Sequence, residues 1–201
     1  FHKFRENINN IDDYTDQREI IFNNFIDQGL PNKRNESWKY FDLVSKSKEY
    51  IKNDISNSEI IVENLEENNV FYDYADNNLS IEDYLKPCNF FKGESVVDLN
   101  VACGNQIKIL DVKDTQNEPI IIKINYNEKN ISLPRLIINI ADNIKAKINY
   151  INSSTSGFLN LLVEYNIGNK SELEISRINS SQGLLVETNL VFLLNHSNFN
   201  M

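Results

Sequence analysis

The chain has 201 residues, a length suited to one or two domains that bury roughly 70% of the surface exposed by the unfolded chain. Its composition, 41% hydrophobic and 24% charged with six glycines and four prolines, is that of a folded protein and excludes a disordered one. A formal charge of −9 argues against a general nucleic-acid or anionic-membrane binder, which needs a basic face to neutralise phosphates.

The start, Phe1-His2-Lys3-Phe4-Arg5, lacks the basic and then apolar run of a secretory signal. No apolar stretch approaches the roughly 20 residues that span a bilayer. The expected location is therefore cytoplasmic, without a membrane segment. Cys88 and Cys103 form no CxxC pair and no disulfide framework, which fits a reducing compartment.

The first element in chain order is an amphipathic helix from about Ile11 to Gln28, with Ile20, Ile21, Phe22, Phe25 and Ile26 as its apolar stripe. Asp16 is the expected N-cap, with Glu19 completing a capping-box-like pair. Gly29 supplies the left-handed position after the helix, and Pro31 forbids its continuation. Beyond this turn, Trp38, Tyr40, Phe41 and Leu43 are an expected aromatic and apolar anchor, while Lys33, Arg34 and Lys39 stay solvated. A phosphate cradle would need a Gly-rich loop running into a helix N-terminus, whereas the one glycine here ends a helix.

Residues 44–98 read as a mixed connection, with a helix-like Lys46 to Ile51, a strand at Glu59 to Glu63 and an aromatic run from Val70 to Tyr74. From Val96 onward the period becomes two. Ile107 and Ile109; Ile120, Ile122 and Ile124; Leu136, Ile138 and Ile140; and Ala146, Ile148 and Tyr150 each mark one face of a strand. The series runs on through Leu159 to Tyr165, Leu173 and Ile175, and Val186 to Phe192. Either an antiparallel sandwich or a solenoid fits this spacing. Long polar connections and the lack of Asn-Gly or Asp-Gly hairpin signals favour the solenoid.

Candidate chemistry is sparse. Cys88, Cys103, His2 and His196 are scattered, whereas metal sites show paired ligands at short spacing. Cys88 and Cys103 read as small half-buried residues and His196 as a loop histidine. Pro134-Arg135 reads as an entry into a rung carrying a surface-paired arginine. No nucleophile and base arrangement stands out, so no catalysis by this chain is expected.

The turn Gly29-Leu30-Pro31, followed by Arg34, Glu36 and Trp38-Lys39-Tyr40 and then Asp42 and Leu43, resembles the N-terminal part of the D-type members of the SufB/SufD iron–sulphur cluster assembly family. Asn32 and Phe41 depart from that pattern, as does Leu65 after Asn64. The match is tight over this motif and loose over the rest of the chain. It implies a mainly β protein with an N-terminal α region (residues 1–95) and the first part of a right-handed parallel β-helix, or solenoid (residues 96–201), entered through Leu99-Asn100 and Gln106 to Ile109.

Met201 closely follows the apolar stretch Leu184 to Leu194 without a capping helix, so the expected solenoid is truncated at its C-terminal end. The resemblance further implies a non-catalytic scaffold subunit of the SUF complex, partnered by a SufB-type subunit and a SufC-type ATPase. The iron–sulphur cluster would then belong to the assembled complex, with no ligand carried onto this chain and flavin left open. The alternative is a β-solenoid or sandwich that binds or processes carbohydrate. It is weakened by the lack of a secretion signal and of aromatic ladders.

Overall fold

The computed structural model describes residues 4–5, 8, 14–74, 79–126 and 129–201. Helix α1 (Thr15–Gln28) buries Arg18, Ile21, Phe22 and Phe25, a stripe at the spacing of one helical face. The expected stripe is corrected at both flanks, because Ile20 is 63% and Ile26 43% exposed. Arg18, a charged residue, takes the inward position instead. The expected Asp16 cap is corrected as well: Tyr14 precedes the helix, no side chain caps it, and Asp16 lies in the first turn, where the helix dipole favours an acid. Residues 11–13 of the predicted helix lie outside the described residues. At the other end Gly29 adopts φ 67° and ψ −178°, a conformation open to glycine, and its N–H closes the helix onto the Phe25 carbonyl.

A 3₁₀ turn (Glu36–Trp38) leads to α2 (Leu43–Ser47), which starts earlier than the predicted Lys46 to Ile51 because Asp42 caps it. The Asp42 carboxylate accepts from the Ser45 N–H and Oγ, and these bonds hold its pKa below the usual carboxylate value. Strands β1 (Glu59–Glu63) and β2 (Val70–Asp73) follow. Helix α3 (Ile81–Phe90) is capped by Ser80, whose Oγ accepts from the Asp83 N–H and donates to the Asp83 carboxylate.

Helix α4 (Ser95–Cys103) corrects the reading that strands begin at Val96. Every one of its residues is buried. A helix covered on all sides carries no 3.6-residue polarity pattern, and Val97, Leu99, Val101 and Cys103 mimic a strand face. It packs on α1 and on the sheet below. Asn100 donates to the Pro134 and Asn160 carbonyls at 3.1 and 2.7 Å, and Asn160 donates back to the Val96 carbonyl at 2.7 Å.

The remainder is a β-solenoid of about three turns. Its strands are β3 (Gln106–Val112), β4 (Ile120–Asn125), β5 (Ile131–Ser132), β6 (Pro134–Ile140), β7 (Lys145–Ser153), β8 (Phe158–Ile167), β9 (Glu172–Asn179), β10 (Leu184–Leu193) and β11 (Asn198–Asn200). One sheet runs β2-β3-β6-β8-β10 and the other β1-β4-β7-β9-β11. Neighbours are parallel except at the first edge, where β1 and β2 pair antiparallel to β4 and β3. Parallel pairing between successive rungs decides against a sandwich, whose sheets are antiparallel. Gln106 faces Pro134, Arg135 faces Leu162 and Phe158 faces Leu184, so the rung repeat shortens from 28 to 27 to 26 residues.

Identical positions stack inside, as in the columns Ile120-Ile148-Ile175 and Leu110-Ile138-Tyr165. The outer face of the first sheet is covered by the helices, which explains why β8 is buried along almost its whole length. The outer face of the second sheet is open and bears the pairs Lys123–Glu63, Lys145–Glu172 and Lys147–Glu174. Each such exposed pair contributes under about 1 kcal/mol.

One corner of the solenoid repeats a left-handed residue in successive rungs, Asn143, Lys170 and His196, each with φ near 60°. Gly168 precedes that corner, and a Cβ there would sit 2.6 to 2.7 Å from Asp142 and the Ala141 backbone. Gly168→Ala is expected to lower stability by about 1–3 kcal/mol, read from a urea titration of purified protein.

Candidate functional site

The motif that marks the end of α1 is divided between core and surface. Leu30 and Pro31 are buried, and Trp38 packs partly against the helical core. Arg34 is exposed, its N–H donating to the Asn32 side chain, while the Asn32 N–H donates to the Asn35 side chain. These local bonds shape the turn between Pro31 and the 3₁₀ turn. Lys39 and Glu36 form an exposed ion pair at 2.9 Å. The expected anchor at Tyr40 is corrected: the residue is 89% exposed, with Lys39 over its ring.

Gly29, Trp38 and Glu36 form one wall of an open cleft of about 340 Å³, and the turn Gly93-Glu94-Ser95 at the start of α4 forms the other. Lys33, Arg34 and Lys39 do not line it. The motif's basic residues therefore make no phosphate cradle. The charged groups that do line the cleft are carboxylates. Behind the cleft, Gln28 donates to the buried Asp98 at 3.3 Å.

Cys88 is half-buried, as read, whereas Cys103 lies on the fully covered helix α4 and is buried rather than half-buried. Burial raises both thiols to about 12, Asp98 adding to the effect at Cys88. Neither supplies a thiolate nucleophile near neutral pH. Among the described residues no group of three or more His, Cys, Asp and Glu side chains is placed to hold a metal. His2 lies outside them, and His196 is an exposed corner residue.

Two buried polar clusters escape a reading of the sequence. On the covered face of the first sheet, Arg135 and Glu164 pair at 2.5 Å with both side chains 2% exposed, correcting the expectation of a surface arginine. The other Arg135 nitrogens donate to the Asp83 and Tyr84 carbonyls at 2.7 and 2.9 Å. Pro87 explains the first of these bonds, since it lacks the N–H that would close onto the Asp83 carbonyl within α3. Burial raises the Glu164 pKa, with Arg135 and Lys86 pulling the other way. Alongside runs a ladder in which Asn166 donates to Asn139 and Asn139 to Asp111, both at 2.8 Å.

The second cluster lies inside the solenoid at its last rungs. Arg177 pairs with Glu187 and donates to Tyr165 and Asn189, and Tyr165 donates to Tyr150. The Arg177 guanidinium lies 4.8 Å from the centroid of the Tyr150 ring. In both clusters the cation faces its acid and further hydrogen-bonding groups. That is the chemistry of register and docking, and neither cluster combines a nucleophile with a base.

Among the described residues no helix is long and apolar enough to cross a membrane. No protein-family model, curated protein or solved structure matches the chain.

Proposed function

We propose that this chain is a D-type, non-catalytic scaffold subunit of a SUF iron–sulphur cluster assembly complex, acting with a SufB-type subunit and a SufC-type ATPase. The observation that carries the reading is the coexistence of a two-sheeted β-solenoid with a helical region whose Gly29-Leu30-Pro31 to Trp38-Lys39-Tyr40 segment resembles the family motif. The polar clusters are compatible with a scaffold, because they hold rungs and helices in register. A cluster, if one is handled, belongs to the assembled complex. The reading as a carbohydrate-binding or carbohydrate-processing solenoid takes second place. Lysines, glutamates and isoleucines occupy the open face of the second sheet, where a sugar ligand calls for aromatic platforms.

The test is co-expression of the full-length gene with SufB- and SufC-type partners, followed by affinity purification and size exclusion. One co-eluting complex is the expected result. Elution of the chain alone, with both partners present and folded, removes the scaffold reading.

A further inference from the structure

The cleft between the end of α1 and the start of α4 combines features that the structural role of the motif does not use. Glu94 and Glu36 line it, no lysine or arginine among the described residues does, and the whole chain carries a formal charge of −9. Glu36 already has Lys39 on its outer side, whereas Glu94 has no ion-pair partner among the described residues. Ser95 also lines the cleft. The residue is only 4% exposed, and its hydroxyl makes no hydrogen bond to a described residue. That leaves the hydroxyl of this lining residue able to accept a hydrogen bond from a group in the cleft. Trp38 adds an aromatic wall, and its ring centroid lies 6.4 Å from that of Phe41.

Carboxylates, a free hydroxyl acceptor and an indole suit an organic cation, which they can neutralise, accept hydrogen bonds from and stack upon. The cleft, about 340 Å³, admits an arginine or lysine side chain with room to spare. The surroundings indicate where that cation comes from. Tyr40 at 89% and Phe41 at 39% exposure continue the aromatic surface from Trp38 out to solvent, and exposed aromatics of this kind mark protein interfaces.

We propose that the segment from Gly29 to Phe41, with Glu94 and Ser95, is a docking surface for a partner protein that inserts an arginine side chain into this cleft and lays apolar residues on Tyr40 and Phe41.

Trp38 is the single tryptophan of the chain, so its fluorescence reports on the cleft directly. The probes are the peptide acetyl-Ala-Leu-Arg-Leu-Ala-amide, the same peptide with neutral citrulline in place of arginine, and free butylguanidinium. The arginine peptide is expected to shift Trp38 emission saturably and to bind at least about tenfold more tightly than the citrulline peptide. Glu94→Gln should remove most of that difference while lowering the thermal melt by no more than a few degrees, since the Glu94 side chain makes no capping bond to α4 and contributes only its charge at the helix N-terminus. Tyr40→Ala should weaken the peptide and leave butylguanidinium unaffected. The proposal is overturned if the arginine peptide gives no saturable change, or if the two peptides titrate alike. Butylguanidinium binding as tightly as the arginine peptide also overturns docking, assigning the cleft to a free small cation.

Discussion

Glu164→Ala is expected to cost about 3–5 kcal/mol of stability, enough to unfold a protein of ordinary marginal stability at moderate temperature. The glutamate is 1% and its partner Arg135 2% exposed, so the substitution leaves a guanidinium buried beneath α3 without its counter-ion. Lys86, whose ammonium lies 4.0 Å from the Glu164 carboxylate and bonds Asn166, loses part of its anchorage as well. Arg135→Met is also expected to be damaging, because it leaves the buried Glu164 carboxylate with only the more distant Lys86, 4.0 Å away, as counter-ion. The pair as a unit is far less valuable than either half suggests, because desolvation offsets much of the attraction. The double variant Arg135→Met with Glu164→Leu should therefore recover most of the loss.

What the double variant cannot recover is the bond from Arg135 to the Asp83 carbonyl, worth about 1–3 kcal/mol when a buried acceptor is left bare. Pro87→Ala supplies the missing helical N–H. Adding it to the double variant should return that remainder, whereas in the wild-type background the same change meets an already satisfied carbonyl. Urea titrations of the four proteins measure the coupling. Additive effects of Pro87→Ala and the loss of Arg135 would show that the arginine is not filling the proline's gap.

Much of the solenoid is legible in the sequence because its rungs obey a simple rule. One face of each strand looks into a dry interior, so Ile120, Ile122 and Ile124 or Leu159, Leu161 and Val163 announce themselves by alternation. Whether such strands stack in parallel or fold into a sandwich depends on pairing partners 26 to 28 residues apart, which alternation does not encode. The stop at Gly29 and Pro31 is likewise local, and the structure keeps it.

Other features need partners that no local window contains. Helix α4 is hidden by burial on every side, and Arg18 is missed in the α1 stripe because a charged residue is ordinarily counted as solvated. Tyr40 reads as an anchor because aromatics usually bury, yet its neighbours turn it outward. The cleft is composite in the same sense: Trp38 and Glu94 belong to segments that meet only when α1 packs beside α4. Motif spacing could identify the first wall but never the second.

Arg18→Met is the second large effect expected, a loss of about 3 kcal/mol or more, with α1 released from α4. Arg18 Nη1 lies 3.1 Å from the Val101 carbonyl, 3.1 Å from that of Ala102 and 2.9 Å from that of Gly104. These are the last carbonyls of α4 and its exit, the end where a helix has no donors of its own and where its dipole is negative. The side chain is 1% exposed, so water cannot replace the guanidinium once it is gone. Each stranded carbonyl costs on the order of 1 kcal/mol or more, and the lost charge at the helix end adds to this. Methionine retains much of the apolar stem, which keeps the cavity contribution small and leaves the lost donors as the principal cause. A lysine retains the charge but forfeits the planar guanidinium stacked 5.0 Å from the centre of the Tyr84 ring, so Arg18→Lys should recover only part of the loss. Hydrogen exchange locates the effect: amides of α1 should lose protection in Arg18→Met well before those of β6 and β8, and uniform loss across both regions would mean that Arg18 supports the solenoid as much as the helix pair.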